Sequence, residues 1–226
     1  MNKNQFWIII PALNAERTLP KVLRDIKALY PEAQVVVIDD GSEDQTSEFA
    51  LKCGAILVSS ALNQGYGASV KKGVAYALDQ GATRFLTMGA DDQRDVRDIL
   101  VLWKTFEEGG YDVVVGSKLL TREKIPFMRK IANILLAKAF NLIYGTKICD
   151  LTSGFKVFNV KVGGQLFDLE DDYAFDAALR SRIAKRHLKS IEVPVRVYYH
   201  AESTRMRNPY AIALRILWVF TKRRFY

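Results

Sequence analysis

The segment Val35-Val36-Val37-Ile38-Asp39-Asp40-Gly41-Ser42 indicates the fold class, because four β-branched residues lead directly into two carboxylates and a Gly-Ser turn. A continuous β-branched run is typical of a strand that is buried on both faces, as strands of parallel sheets are. Four more runs have the same character: Phe6–Ile10, Ala55–Val58, Phe85–Met88 and Val113–Val115. The first half of the chain therefore predicts five buried strands.

Helical patterns separate these strands. In the first of them, apolar residues recur at spacings of three and four, which predicts one buried helix face. The four predicted helices are Thr18–Leu29, Gln45–Cys53, Ala68–Gln80 and Val96–Glu108. Alternation of this kind predicts an α/β fold with a mostly parallel central sheet and helices on both faces. In such sheets ligands bind at the carboxyl ends of the strands.

The second half of the chain is less regular. A helix is predicted over Pro126–Tyr144, with Pro at its start and Gly145 after its end. Three further elements follow: a helix Phe175–Arg186, a strand Ile191–Val197 and a helix Tyr210–Thr221. Because Pro194 lacks a backbone N–H, the strand is expected at the edge of the sheet.

The composition of the 226 residues excludes several classes of protein. With 49% hydrophobic residues the chain is a folded domain, and its two His and two distant Cys predict neither a zinc site nor a disulfide framework. A reducing, cytoplasmic setting is therefore expected, with no signal peptide and no membrane-spanning segment. The net charge of +8 suggests that the protein binds an anionic partner. Its basic residues are interspersed with acids and match no nucleic-acid-binding motif, so nucleic acid is not expected.

Polar groups follow three of the strands, and each group allows two interpretations. Asp39 and Asp40 are placed to accept hydrogen bonds from a base or ribose, or to form an Asx turn. The loop Asn63–Gly67, with Lys71 and Lys72 behind it, is suited to hold a phosphate, or is an ordinary loop before a solvated basic helix. The run Gly89–Gln93 offers oxygen ligands for Mg²⁺ or Mn²⁺, or caps a helix.

Six motifs occur together in order, and as a set they resemble glycosyltransferase family 2, which has the GT-A fold. The motifs are Pro11-x-x-Asn14, Asp39-Asp40-Gly41-Ser42, Asn63-x-Gly65-x-Gly67, Gly89-Ala90-Asp91-x-Gln93, Gly116-Ser117-Lys118 and Asp150-x-x-Ser153-Gly154-Phe155. The branch they most resemble is the polyprenyl-phosphate or dolichyl-phosphate glycosyltransferases. The resemblance covers residues 6–207. It implies a catalytic domain over residues 1–207, followed by a basic amphipathic helix over 208–226.

The resemblance, taken with the loop chemistry, implies a nucleotide-sugar site and a metal. The residues expected to bind a GDP- or UDP-hexose are Pro11, Leu13, Asn14, Glu16, Asp39, Asp40, Gly67, Lys72, Ala90 and Asp91. Asp91 and Gln93 are expected to hold Mg²⁺ or Mn²⁺. Gly89 departs from the family pattern, which has an Asp there, and so removes one potential ligand that Asp92 would have to replace. Lys118 stands where Arg is common, which keeps the charge but loses the bidentate fork.

By resemblance, the acceptor's phosphate is held by Lys118, Arg129, Asn133 and Arg205. Arg129 and Asn133 are four residues apart, so they share one face of the predicted helix. A phosphate acceptor is already an anion and needs no general base, so catalysis reduces to positioning and charge stabilisation. Asp91, Lys118 and Arg129 are the expected catalytic residues.

Contact with a membrane surface follows from a lipid acceptor. The helix 125–144 is more apolar than one buried face requires, and Ala211–Phe220 is an apolar stretch that runs into Lys222-Arg223-Arg224. Short amphipathic helices with basic flanks lie in the interface. Alternatively, the last helix packs on the core or forms a dimer contact. The oligomeric state is left open.

The leading hypothesis is an inverting transfer of mannose or glucose from the nucleotide sugar to a polyprenyl or dolichyl phosphate, at the cytoplasmic face of a membrane. Two alternatives remain. The first is a transferase of the same fold with a saccharide acceptor, for which Asp150, Asp172 or Asp176 would serve as the general base. The second is a non-catalytic nucleotide-sugar-binding subunit that has lost its metal.

Overall fold

The computed structural model describes residues 6–121, 125, 127–199 and 209–225, without the side chains of Arg129, Pro209 and Tyr210. Within this part of the chain, seven strands form one sheet in the order β3-β2-β1-β4-β6-β5-β7. The strands are β1 Phe6–Ala12, β2 Gln34–Asp39, β3 Ile56–Ser59, β4 Arg84–Thr87, β5 Val113–Ser117, β6 Lys156–Asn159 and β7 Ser190–Pro194. All are parallel except β6, which is antiparallel to both of its neighbours. The predicted mostly parallel sheet is confirmed.

The helices connect these strands along the chain. They are α1 Leu19–Leu29, α2 Thr46–Lys52, α3 Tyr66–Asp79, α4 Ile99–Gly109, α5 Phe127–Tyr144, α6 Val160–Gly163, α7 Phe175–Lys185 and α8 Pro209–Phe225. Short 3-10 turns precede α4, over Val96–Asp98, and follow β5, over Lys118–Leu120. The predicted helix over Val96–Glu108 is therefore a 3-10 turn joined to an α-helix.

The two faces of the sheet bury two separate cores, because successive side chains of a strand point to opposite faces. Ile9 of β1 packs with α3, α5, α7 and α8, whereas Ile8 and Ile10 pack with α1, α2 and α4. All three isoleucines are fully buried. The prediction of helices on both faces is confirmed, and the β-branched runs are explained by burial on both sides.

Within the described residues, strand β6 is the one strand that the hydrophobic pattern missed, and the short helix α6 was not predicted either. Strand β6 has four residues, and it begins with Lys156, whose charge hides the strand pattern. That lysine is nonetheless buried, since it forms an ion pair with Asp176 of α7. The edge position of β7 is as expected, but the strand ends at Pro194 and does not continue to Val197.

The C-terminal helix α8 packs on the core. Ile216, Val219 and Phe220 are buried with Phe140 of α5, and the Tyr144 hydroxyl donates to the Phe220 carbonyl at 2.7 Å. This is the first alternative for the last helix, although its opposite face stays exposed. None of the helices in the described part of the chain combines the length and the apolar character needed to cross a bilayer.

Candidate active site

Six parallel strands end at one edge of the sheet, and the antiparallel β6 begins there, so the loops of this edge form the candidate site. The loops after β1 and β2 are hydrogen-bonded to each other. The Asn14 backbone N–H donates to Ser42 Oγ at 2.8 Å, and Asn14 Oδ1 accepts from the Glu43 N–H at 2.8 Å. Glu16 accepts from the Gln45 N–H at 3.1 Å. These side chains therefore fix the shape of the cleft.

Asp39 and Asp40 are buried and make bonds within the protein. Asp39 accepts from the Ser42 N–H, three residues further on, at 2.9 Å, and it also accepts from the Ser47 hydroxyl. Asp40 accepts from the Gln64 and Gly65 N–H groups at 2.9 and 2.8 Å. Both carboxylates thus have a structural role, although neither forms an Asx turn, and their contact with a base or ribose remains a prediction. Of the other predicted residues, Pro11 is half-buried in β1 and Leu13 is exposed just after it.

The glycine loop packs against the segment 170–172. A Cβ on Gly67 would lie 2.2 Å from the Glu170 carbonyl oxygen, and one on Gly65, where φ is +105°, would lie 2.4 Å from the Asp171 carbonyl oxygen. Both glycines are therefore required for close backbone approach. Lys71 is paired with Asp171, and Lys72 donates to Ser60 Oγ at 2.5 Å. The structure explains these residues without a phosphate, so phosphate binding by Gly67 and Lys72 stays a prediction.

The acidic run after β4 contains two adjacent carboxylates in different environments. Asp92 has a φ of +55° and forms an ion pair with Lys21 at 2.7 Å. Asp91 is half-buried, and this burial raises the pKa of its carboxyl group. Because the Asp92 carboxylate is paired with Lys21, the structure does not support the idea that it replaces the Asp that the family has at position 89.

The residues around Asp91 fit a divalent cation only together with a ligand's own oxygens. Nowhere in the described chain do three or more His, Cys, Asp or Glu side chains gather to hold a metal. Mg²⁺ is commonly held by one or two carboxylates plus substrate phosphates, and Asp91 with the adjacent Gln93 amide offers such a partial set. The predicted pair therefore fits a metal–diphosphate group rather than a bare ion.

The predicted acceptor residues lie on the other side of this edge. Lys118 is half-buried in the 3-10 turn after β5, and Thr152 Oγ1 lies 3.4 Å from Asn133 Oδ1, which links α5 to the segment 150–155. Arg129 lies one helical turn before Asn133 in α5, but its side chain is not described. Arg205 lies outside the described residues.

A buried ionic cluster beside the segment 150–155 was missed by sequence reasoning. Lys156 pairs with Asp176, and the same carboxyl group hydrogen-bonds the buried Tyr66 hydroxyl, whose pKa is raised well above its usual value by burial. Arg180 pairs with Glu192, which accepts from the N–H groups of residues 149 and 150. The ion pairs and hydrogen bonds of this cluster therefore hold the segment 150–155 in place from the protein interior. Its only sequence signal was Lys156 directly after the predicted motif.

The three candidate bases of the saccharide alternative differ in environment. Asp172 is paired with Arg215 at 2.9 Å, and Asp176 is paired with Lys156. Asp150 is 0% exposed, and its Oδ2 atom has no hydrogen-bond partner among the described residues. Of the three, Asp150 is the one with a carboxylate oxygen left over.

Comparison with known proteins connects this geometry to a group of enzymes. A sequence profile of the family described as "Glycosyl transferase family 2" matches residues 7–167. The chain is 29% identical to the dolichyl-phosphate hexose transferase of Haloferax volcanii, over 90% of this chain and 87% of that protein. It is 24% identical to the undecaprenyl-phosphate mannosyltransferase of Micrococcus luteus, over 83% of this chain and 81% of that protein.

A solved structure shows the same fold. Glucosyl-3-phosphoglycerate synthase of Mycobacterium tuberculosis, in complex with Mn²⁺, UDP and glucosyl-3-phosphoglycerate, matches with a TM-score of 0.74 and 17% identity. The match covers 97% of this chain and 79% of that chain. The predicted GT-A fold is therefore confirmed.

Proposed function

The chain belongs to glycosyl transferase family 2 and is a glycosyltransferase, and from that premise we propose that it moves a hexose from a GDP- or UDP-sugar to a polyprenyl or dolichyl phosphate. In this proposal the transfer inverts the configuration of the anomeric carbon and takes place at the cytoplasmic face of a membrane. The observation that carries the lipid acceptor is a row of exposed apolar side chains on α5 and α8, which we call the apolar strip. Its members are Phe127, Met128, Ile131, Ile134, Leu135, Leu142, Leu214, Leu217, Trp218 and Phe225.

The apolar strip has the chemistry of a membrane-surface contact. On α5, Met128, Leu135 and Leu142 are seven residues apart and share one helix face, and Leu142 is 87% exposed. On α8, Trp218 is 51% exposed and lies against Arg215 and Lys222. Exposed apolar side chains with Trp and cations beside them are typical of helices that lie in the interface.

The same helix supports both the strip and the predicted acceptor residues, which favours a lipid phosphate over a soluble acceptor. Asn133 of α5 reaches Thr152 at the site edge, and Ile134 beside it belongs to the strip. Arg129 and Asn133 lie on a different face of α5 from Met128, Leu135 and Leu142. We therefore propose that the lipid chain lies along the strip and that its phosphate reaches across the helix to Lys118, Arg129 and Asn133. Arg205, the fourth residue of this set, lies outside the described residues. We propose these four as the residues that bind the acceptor phosphate.

On the donor side, we propose that the loops after β1, β2, β3 and β4 bind the nucleotide sugar. Asp91 and Gln93 would hold Mg²⁺ or Mn²⁺, which supplies positive charge at the diphosphate when bound. Because the acceptor phosphate is already an anion, no residue of this chain has to remove a proton. The protein's own contribution is to align acceptor and donor and to exclude water.

The membrane role of α8 is compatible with its packing. Part of its basic character is used inside the protein, since Arg223 pairs with Glu170 at 2.9 Å and Arg215 pairs with Asp172. Lys222 and the exposed apolar face remain toward solvent. We propose that residues 208–226 form a membrane-surface helix attached to a catalytic unit over residues 1–207.

A donor panel tests the proposal. The protein is incubated with vesicles that contain polyprenyl phosphate, with Mg²⁺ or Mn²⁺, and with radiolabelled GDP- and UDP-hexoses. The expected result is label that becomes extractable into chloroform with one donor and is lost when polyprenyl phosphate is left out. Absence of such label with every donor would overturn the proposal.

A saccharide acceptor is the second candidate, supported by the buried Asp150, whose Oδ2 atom has no hydrogen-bond partner among the residues that the structure describes. Two variants separate the candidates. Arg129→Ala is expected to abolish transfer to a lipid phosphate and to affect a sugar acceptor little. Asp150→Asn is expected to abolish transfer to a hydroxyl acceptor, which needs a base, with a smaller effect on a phosphate acceptor. The adjacent Lys130→Ala is the control for Arg129→Ala, because Lys130 is exposed.

A further inference from the structure

Arg94 follows the Asp91–Gln93 segment and is held in place on both sides. Its backbone forms an isolated antiparallel bridge with Val197, and the preceding Gln93 carbonyl accepts from the Tyr198 N–H at 2.9 Å. The position of Arg94 relative to Asp91 is therefore set by the loop after β7 as well as by the chain. This anchoring is more than an exposed surface arginine would require.

The side chain of Arg94 has a buried donor that no described residue uses. The residue is half-buried, and its Nη1 atom is buried without a hydrogen-bond partner. Burying a guanidinium N–H without an acceptor costs free energy, so a buried donor of this kind suggests that a bound ligand accepts its hydrogen bond. Burial raises the pKa values of Asp91 and of Tyr66, and the charge of Arg94 offsets part of this rise at both groups.

Two neighbouring arginines, Arg97 and Arg196, have a structural role, because each is bonded to a carboxylate. Arg97 donates to both carboxylate oxygens of Asp95, at 2.9 and 2.7 Å. Arg196 donates to Asp98 Oδ1 through Nε at 3.0 Å. Arg94, by contrast, forms no ion pair with any described residue. Its guanidinium group is thus the cation of this region that is left for a ligand.

We propose that Arg94 binds the diphosphate of the donor sugar and carries part of the charge of the leaving group. The proposal rests on the proposed function. A guanidinium fork matches phosphate oxygens in geometry and charge, and Arg94 lies in the same loop as Asp91, three residues further on. In the transfer, an acceptor phosphate oxygen bonds to the anomeric carbon while the bond from that carbon to the β-phosphate oxygen breaks. The electron pair passes to the β-phosphate, so negative charge grows there and no proton moves.

This role gives Arg94 a consequence for metal use. Gly89 contributes no carboxylate, so Asp91 is the one acidic side chain of the run that is not committed to an ion pair. A diphosphate beside Asp91 would then meet a fixed positive charge on Arg94 in addition to any cation. The wild-type protein is therefore expected to bind a nucleoside diphosphate weakly in the absence of divalent metal, and this residual binding should depend on Arg94.

The test is isothermal calorimetry of UDP, GDP, UMP and GMP with the full chain, with Mn²⁺ and with EDTA. Arg94→Met keeps the length of the side chain and removes the charge. It is expected to weaken binding of the diphosphate by about tenfold to a hundredfold, with little effect on the monophosphate. Arg97→Met is the matched control, because Arg97 is exposed and bonded to Asp95, and it is expected to bind like the wild type.

Each outcome decides the proposal. If Arg94→Met weakens the diphosphate and the monophosphate equally, Arg94 shapes the loop as a counter-ion and the proposal is wrong. If Arg94→Met binds the diphosphate like the wild type while the wild type transfers sugar, only the role of Arg94 fails. If the wild type binds neither diphosphate, the proposed function fails with it. Arg94→Lys, which retains the charge, replaces Arg94→Met if circular dichroism shows that the latter is unfolded, and an intermediate loss of diphosphate affinity is then expected.

Discussion

Two regions meet at the carboxyl edge of the sheet, and they are built differently. The loops after β1, β2 and β3, residues 11–16, 39–47 and 63–67, which we call the donor loops, are held to one another by hydrogen bonds between side chains and backbone. Asn14, Glu16, Asp39 and Asp40 all accept such bonds. The donor loops are thus a preformed, polar surface whose shape does not depend on a ligand.

The acceptor segment, residues 117–155, has the opposite character. Its buried interior contains two polar atoms without a partner among the described residues, Ser117 Oγ and Asp150 Oδ2, and its helix α5 exposes apolar side chains. The two buried atoms therefore lack hydrogen bonds from the described residues, and the apolar side chains of α5 stay exposed to solvent. The difference agrees with the proposed function, in which the donor loops bind a nucleotide sugar and the acceptor segment contacts a lipid at a membrane surface.

The largest expected effect concerns the buried ion pair under the acceptor segment. Lys156→Met leaves Asp176 buried without a counter-ion, which is expected to lower the free energy of unfolding by about 3–5 kcal/mol. The matched control on the donor side is Lys52→Met, which breaks the exposed pair with Glu48 and is expected to cost about 0–1 kcal/mol. Urea denaturation measures both changes.

A rescue variant sharpens this test. Adding Asp176→Leu to Lys156→Met removes the uncompensated charge, so the double variant should recover part of the lost stability. The recovery is expected to be incomplete, because Tyr66 loses its hydrogen bond to Asp176. If Lys156→Met costs no more than Lys52→Met, the acceptor segment does not depend on the buried cluster.

The second prediction compares the adjacent carboxylates Asp91 and Asp92. Asp91→Asn is expected to lower kcat by about a hundredfold to a thousandfold, since it removes charge at the reacting diphosphate. Asp92→Asn, at a left-handed position that Asn tolerates, is expected to change kcat little. Steady-state kinetics with the active donor measures both, and equal losses in the two variants would contradict the assignment of Asp91.

The stability of the Asp91→Asn variant should change in the opposite direction to its activity. Burial raises the pKa of Asp91, so its contribution to stability is greatest when it is protonated at low pH and declines as the pH rises through the folded pKa. At neutral pH the ionised carboxylate is therefore unfavourable, and Asp91→Asn is expected to raise Tm while activity is lost. A lowered Tm would indicate that Asp91 is a structural residue.

The third prediction concerns the apolar strip. Replacing Leu135 and Leu142 together by Glu is expected to lower partitioning onto phosphatidylglycerol vesicles by about tenfold or more, because two leucines no longer enter the interface. The control replaces the exposed Leu51 and Leu62 of the donor side by Glu. Cosedimentation measures the bound fraction. Equal losses in both double variants would mean that the vesicles respond to net charge rather than to the strip.

The smallest effect is expected at Asp95, between the two regions. Hydrogen bonds from Arg97 lower the pKa of Asp95 from 3.8 to about 2. Because the folded pKa is the lower one, the stability that Asp95 contributes is present above the unfolded pKa and is lost as the pH falls through the folded pKa. Asp95→Asn should therefore flatten the dependence of Tm on pH between these two values. An unchanged slope would contradict the ion pair with Arg97.

How far the fold could be predicted differs between the same regions. Strands β1, β2 and β5 were visible as β-branched runs because burial on both faces requires such residues. Strand β6 was not visible, since its first residue is a lysine that is buried only because α7 supplies Asp176. A partner so distant in sequence leaves no periodic pattern.

The site was predictable to a similar extent. The motifs located its edge, but they did not separate ligand-binding groups from structural ones. Asp39 and Asp40 are suited equally to a ribose and to an Asx turn, and Gly67 is suited equally to a phosphate and to the Glu170 backbone. Residue type and spacing are the same whether such a residue binds a ligand or stabilises the fold, so only its contacts in three dimensions distinguish the two roles. Arg94 was missed because its role depends on a buried atom.

The reversed direction of β6 has a consequence for how the proposed acceptor residues are encoded. Strand β5 leaves the sheet at Ser117 and the chain returns to the same edge before Lys156, where the Gly116 N–H donates to the Phe155 carbonyl at 2.9 Å and the Ser153 hydroxyl donates to the Gly116 carbonyl at 2.6 Å. The excursion between them begins and ends at neighbouring points, so a change in its length does not require a shift in strand register. Under the proposed function, Lys118, Arg129 and Asn133 all lie in this excursion, so one continuous stretch of gene encodes three of the four residues that would select the acceptor.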